Sequence, residues 1–179
     1  MRELPLSQAD RCWTPPERVV LVTSTDLAGK PNIISVGWKM RASVNPPVFA
    51  IGLGKKSHSG QNILASREFV LAVPGGDLAE AVMYCGTRSG RDADKFRDTG
   101  LTATPAKAVK APLVAECLAN LECQVIAVQE IGDHRVFFGQ VVACWTSERE
   151  EKPLLVVGET VGYDVLYQEG RFRLGTVKG

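Results

Sequence analysis

Two long runs of strand-forming residues, Leu118 to Glu130 and Arg135 to Ser147, flank the tetrapeptide Ile131-Gly132-Asp133-His134, and this is the strongest hairpin signal in the chain. Gly132 and Asp133 are the residue types that a tight reversal between strands needs. A long antiparallel pair of neighbouring strands argues against a parallel sheet, whose strands need crossover connections. The regular alternation of strand with a long helix that a doubly wound sheet requires is absent, and no G-x-G-x-x-G follows the first strand.

The other segments agree with an antiparallel plan. Val19 to Thr23 and Ile33 to Trp38 read as strands joined by the turn Asp26-Leu-Ala-Gly-Lys30, and Pro46-Pro47 stiffens the entry to a third apolar run, Val48 to Leu53. From Ser59 a short, serine-capped helix is expected, followed by a strand at Phe69 to Val73. Leu78 to Cys85 suits a helix stopped by Gly86, and Ala93 to Thr99 a second one stopped by Gly100, with the polar loop Thr87 to Asp92 between them. Thr102 to Pro112 reads as an irregular crossing. Tyr163 to Leu174, with a turn at Gln168-Glu-Gly170, is expected to add an edge strand or to cover one. The expectation is one mainly β domain over residues 1–179: an antiparallel sheet closed or nearly closed into a barrel, with a few short helices.

Composition narrows the partners. With 21 basic and 20 acidic side chains the net charge is +1, which gives no general affinity for nucleic acid or an anionic membrane. Met1 to Asp10 lacks the apolar core of a secretory signal, and no stretch is apolar for long enough to cross a bilayer, so a cytoplasmic location is expected. The five cysteines, Cys12, Cys85, Cys117, Cys123 and Cys144, form no Cys-x-x-Cys pair, which fits reduced, buried thiols. His58 and His134 lack zinc-ligand spacing to any of them, and no metal site is expected.

In this order of elements the chain resembles the flavin reductase-like family, whose FMN-binding split barrel includes the flavoredoxins. The resemblance runs from about Pro16 to Gly175. It rests on Val22-Thr-Ser-Thr25 with Gly29-Lys-Pro-Asn32, on Ser35-Val-Gly-Trp38, on Asn45-Pro-Pro47, on Asp94-Lys-Phe96, and on Glu122-Cys123 followed by Gly132-Asp-His134. It implies a homodimer that binds FMN near the subunit interface and transfers electrons between NADH or NADPH and a flavin.

FMN makes separate demands on phosphate, ring edge and ring face. Lys55-Lys-Ser-His-Ser-Gly-Gln-Asn62 places cations and hydroxyls before a helix start, where free N–H groups favour an anion. Lys56, Ser57, His58, Ser59 and Asn62 are therefore the phosphate candidates, against the plainer reading of a solvated turn in which Ser59 caps the helix. Ser35, Val36, Gly37, Trp38 and Lys39 are the ring candidates, because Gly37 permits close backbone approach and Lys39 or Arg41 would favour an anionic reduced ring. Trp38 is otherwise a packing residue. Lys95 resembles a family lysine near the phosphate; its alternative is an exposed ion pair with Asp92 or Asp98. His134 is the catalytic candidate, to hold a nicotinamide or buffer a proton, against simple use as a turn residue. Cys123 is expected to be buried packing. The electron acceptor, small molecule or protein, is left open, as are a flavoredoxin-type carrier reduced by a partner protein and a split-barrel binding module without redox chemistry.

Overall fold

The computed structural model describes residues 16–158 and 162–179, together with Glu3, Pro5, Leu6 and Ala9. Cys12 and most of Met1 to Asp10 lie outside them. In chain order the strands are β1 (Glu17–Arg18), β2 (Val20–Thr25), β3 (Pro31–Val36), β4 (Lys39–Ser43) and β5 (Val48–Gly54). After α1 (His58–Ser66) and β6 (Glu68–Val73) come a 3-10 turn at Gly76–Leu78, α2 (Ala79–Thr87) and α3 (Lys95–Thr99). The remaining strands are β7 (Ala103–Thr104), β8 (Leu113–Val114), β9 (Ala119–Ile131), β10 (His134–Thr146), β11 (Leu155–Val156), β12 (Tyr163–Glu169) and β13 (Phe172–Val177). No helix among the described residues is long and apolar enough to cross a membrane.

Seven strands form one sheet in the order β3-β2-β6-β9-β10-β5-β4, and each neighbouring pair is antiparallel. At its centre β9 and β10 pair from Ala119 opposite Thr146 to Ile131 opposite His134, as the hairpin signal led one to expect. Gly132 takes φ 55° in the two-residue turn, a conformation that costs a residue with a Cβ far more. Near the middle of the pair the register shifts at Gly139, where an added Cβ would overlap the Phe69 ring and lie 2.8 Å from Cys123 Cβ. The glycine lets the sheet bend over its own core there.

The fold is mainly β and antiparallel with few short helices, but the ladder does not close. β3 and β4 are the two edges, and no pairing joins them among the described residues. Only Gly37 and Trp38 separate these strands in sequence, so the edges come together at one end and leave a split there. Sequence reasoning ran β3 on to Trp38 and missed β4, because Lys39–Ser43 is polar and exposed on most of its length.

Hydrophobic burial on both faces of β2 ties the sheet to its surroundings. Val20 and Val22 point inside the curl with Ile51, Ile63, Phe69 and Phe137, whereas Leu21 points outward with Ile33, Val82 and Met83. Each fully buried Phe, Leu or Ile side chain stabilises the fold by roughly 1.5–3 kcal/mol. The outward cluster is covered by α2, by Leu154 just before β11, and by a second sheet of order β1-β11-β13-β12, which contributes Leu174. The segment from Tyr163 therefore builds a sheet of its own with β1, rather than extending or covering an edge of the first. Helix α2 also departs from expectation, passing through Gly86 to Thr87.

The crossing between α3 and β9 is fastened by carboxylates: Glu116 accepts from Thr102 N and Glu68 from Lys110 N, and a third holds its middle. Glu122, fully buried on β9, accepts through Oε1 from Lys107 N (3.0 Å) and Trp145 Nε1 (2.7 Å), and through Oε2 from Ala108 N (2.5 Å) and Val109 N (3.2 Å). Burial alone would raise its pKa, but these donors hold it below the ordinary glutamate value.

Candidate functional site

Against the end of β3 and its connection to β4 lies a cavity of about 280 Å³. Ser35, Gly37 and Trp38 form one wall, Val82, Met83, Gly86 and Thr87 of α2 a second, and Val156, Phe172 and Leu174 of the second sheet a third. Because β3 is an edge strand, its outer N–H and C=O groups are not taken up by a strand neighbour and remain usable by a ligand. Val36 is buried inside the curl, so its backbone rather than its side chain is what it offers to the split.

Trp38 is 61% exposed, and its indole stacks on the His134 imidazole with ring centroids 4.5 Å apart and planes tilted by 34°. The strand between them makes this possible: Gly52 donates to the Trp38 carbonyl at 2.8 Å, and a Cβ there would stand 3.4 Å from Trp38 Cβ. His134 opens β10 opposite Gly54, and its Nδ1 lies 2.6 Å from Asp133 Oδ1. That contact lowers the Asp133 pKa and, in the neutral imidazole, fixes the proton on Nδ1, turning Nε2 away as an acceptor.

Lys39 extends back to donate to the Gly37 carbonyl at 3.1 Å and lies 3.8 Å from Glu17 Oε2. Burial depresses its pKa, with Glu17 opposing. Arg41 is exposed.

From Gly54 the chain passes directly into the turn before α1. Lys55 N donates to the Asp133 carbonyl at 2.9 Å, which sets the helix start beside the β9–β10 turn. Ser57 caps α1, its Oγ accepting from Gly60 N at 3.2 Å. The cap expected at Ser59 is thus two residues earlier, and Ser59 is buried, its Oγ accepting instead from Asn32 Nδ2 at 2.6 Å. One helical turn on, Asn62 is buried with no partner for its Nδ2 among the described residues. His58 is half-buried and titrates below the ordinary imidazole value, first because of burial and then because of the Arg91 guanidinium. Burial disfavours a charge of either sign, so only the smaller contribution of Arg91 speaks for a positive potential here. Lys56 is exposed.

The last turn of α2 and the loop after it run along β3. A Cβ on Gly86 would overlap Ser35 Oγ, and one on Gly90 would overlap the Asn32 carboxamide. These two glycines let the loop lie against the strand and carry Arg91 to α1, where its guanidinium donates to the Lys56 carbonyl (3.2 Å) and to Gln61 Oε1 (2.8 Å). Lys95 is buried rather than paired with Asp92 or Asp98; it donates to the Cys85 carbonyl at 2.7 Å, and burial lowers its pKa. Asp98 pairs with Arg97 and accepts from Tyr84 instead.

Ser35 to Lys39, Ser57 to Asn62 and His134 therefore gather along the split and its adjoining helix end. Five residues of this region had escaped sequence reasoning: Glu17, Asn32, Gly86, Gly90 and Arg91. Asn32 was visible only as part of a turn motif, and the glycine and arginine of a polar loop carried a faint signal for Gly90 and Arg91. Nothing in the sequence marked Glu17. Cys85, Cys117 and Cys123 are buried, as expected of structural thiols, and burial pushes each up to about 12. Cys144 is exposed, contrary to that expectation, because it sits far along β10 where the sheet face turns to solvent.

Comparisons with known proteins agree with this geometry. An uncharacterized protein of Archaeoglobus fulgidus is 35% identical over 127 residues, 71% of each chain. The NADH:riboflavin 5'-phosphate oxidoreductase of Streptomyces pristinaespiralis is 27% identical over 76% of this chain and 75% of its own. Among solved structures, flavoredoxin from Methanosarcina acetivorans superposes with a TM-score of 0.79 at 22% identity, over 100% of this chain and 92% of that one. With residues 14–174 matching the profile of the flavin reductase like domain, the chain belongs to that family.

Proposed function

We propose that the chain binds FMN along the β3–β4 split and uses it to take hydride from NADH or NADPH and pass electrons to an acceptor. The observation that carries this reading is the continuity of two unlike surfaces along β3: a largely apolar cavity at Ser35 to Trp38, and a polar helix start at Ser57 to Asn62 flanked by Lys56 and Arg91. A phosphorylated tricyclic ring has the same two ends. The unpartnered, buried Asn62 amide is the kind of orphan donor that a bound phosphate or ribityl group satisfies. The similarity to an oxidoreductase of riboflavin 5'-phosphate, which is FMN, supports the choice of flavin.

Lys56, Ser57, His58, Ser59 and Asn62 would hold the phosphate with Arg91, while Lys95 holds the end of α2 in place from beneath. Ser35 to Lys39 would meet the polar edge of the ring through their backbone. When bound, FMN supplies the two-electron chemistry. The protein supplies binding, exclusion of water by the α2 and second-sheet walls, and alignment of the donor. Met40, Ile126, Ile131 and Trp145 are large apolar side chains left exposed on β4, β9 and β10, and a second copy of the chain would cover them in a homodimer.

Purified protein is expected to carry or take up FMN with a shifted flavin absorption spectrum, and anaerobic mixing with NADH or NADPH is expected to bleach it. Uptake of FMN with inertness to both nucleotides would leave a carrier served by a protein donor; absence of uptake would remove flavin chemistry altogether. His134→Ala is expected to slow bleaching by roughly tenfold to a hundredfold without abolishing it. Hydride transfer requires aligned donor and acceptor rather than a protein acid or base. Complete loss of reduction, with FMN still bound, would instead make His134 chemically indispensable.

A further inference from the structure

The ion pair between Glu17 and Lys39 joins the two sheets beside the cavity. Glu17 comes from β1, a strand of the second sheet, and Lys39 from the first residue of β4. Between them lies Gly37: the lysine donates to its carbonyl at 3.1 Å, and the carboxylate oxygen Oε1 stands 3.3 Å from where a Cβ on that glycine would be. Both Glu17 and Gly37 line the cavity. The lysine side chain is 14% exposed and the glutamate 31%, so neither charge is fully screened by water.

We infer that Glu17 is a positioning residue that partly cancels the charge of Lys39 beside the cavity, and so moderates how strongly the site stabilises an anionic ring. The inference rests on the FMN reading above and adds to it a residue that sets the potential. Addition of hydride, two electrons with one proton, to a neutral isoalloxazine gives a ring of charge −1. A neighbouring cation favours that product, and a carboxylate next to the cation offsets part of the effect. Lys39 without Glu17 would leave a bare positive charge; Glu17 without Lys39 would leave a bare negative one. The two deletions must therefore move the reduction equilibrium in opposite directions, whereas loss of mere structural support would move it in one.

The test is the midpoint potential of FMN bound to the full-length protein near neutral pH, measured by dye equilibration during anaerobic reduction. Glu17→Gln is expected to raise it and Lys39→Met to lower it, each by about a tenfold change in the reduction equilibrium, or about 30 mV for a two-electron couple. The double variant is expected to fall between the single ones, and Glu17→Asp to stay near the wild type. Single variants that shift together, or do not shift, overturn the pairing while leaving FMN binding intact; wild-type protein that takes up no FMN overturns both. A readout independent of flavin is the titration of the Lys39 ammonium by NMR in the protein without FMN. Glu17→Gln is expected to lower it further, and an unchanged titration overturns the inference.

Discussion

Glu122→Ala is expected to lower the free energy of unfolding by roughly 3–5 kcal/mol, because three backbone N–H groups and the Trp145 indole would lose their acceptor together, and a buried donor left unpaired costs about 1–3 kcal/mol. Some of these donors would recover water, which keeps the expected total below the simple sum. The isosteric Glu122→Gln is expected to be nearly as damaging. Each carboxylate oxygen accepts from two donors, so whichever oxygen becomes an amide NH₂ meets two N–H groups head-on. Urea denaturation of the three proteins measures both effects. A loss below about 1 kcal/mol for alanine would mean that the crossing is held instead by its apolar contacts at Val109 and Ala111 and by its hydrogen bonds to Glu68 and Thr23. The same carboxylate has a pH signature. Its folded-state pKa is depressed, so its contribution is fully present above the unfolded glutamate value and disappears as pH falls through the lower, folded one. The stability gap between wild type and Glu122→Ala should therefore narrow on acidification.

A second large effect is expected at Gly90. Its φ is not in the left-handed region, so a substitution there is opposed by space rather than by backbone conformation. A Cβ would overlap the Asn32 carboxamide and stand 3.1 Å from His58 Cδ2. Asn32 is buried and cannot swing into solvent, so Gly90→Ala must either break its bond to Ser59 or push the loop and Arg91 away from α1. Both outcomes disrupt the proposed phosphate side. FMN affinity in a fluorescence titration is expected to fall at least about a hundredfold, equivalent to about 2.7 kcal/mol. The cavity side should be spared. If Gly90→Ala binds FMN within about threefold of the wild type, the phosphate does not lie against this loop. Gly86→Ala is the comparison on the cavity side, since its added Cβ would meet Ser35 of the cavity wall, chiefly its hydroxyl, which a rotation can turn aside.

The parts of this molecule that were legible in advance are those whose signal is local. The β9–β10 hairpin follows from thirty residues of pattern, the β2–β3 turn from Asp26 and Gly29, and the end of α3 from Gly100, which takes φ 72°. Ser57 was misjudged because serine at 57 and serine at 59 are equally good caps on paper. Only the burial of Ser59 against Asn32 separates them, and that is a contact across 27 residues. For Lys95 the sequence leaves a place near the phosphate and an exposed ion pair both open for the same reason: its burial depends on the carbonyl of Cys85 in another helix. Strand β4 lacks a hydrophobic face because it is an edge, so periodicity had little to detect. The site was readable in its α1 and β3 portions, where residue types such as Lys, Ser, Gly and Trp cluster in sequence. Its other walls, from Glu17 and from β13, are assembled by topology alone.

That topology also orders events at the ribosome. β1 begins at residue 17, yet its neighbour β11 and the strand that secures β11 come from residues 155–156 and 172–177. The seven-stranded sheet has all its members once Thr146 is available, so it can fold while the rest of the chain is still being translated. Phe172 and Leu174 are among the last residues of the fold to emerge, and until then the cavity stands open on that side. The wall from β13 is thus completed only after the sheet it faces, whatever the order in which that sheet's own strands pair.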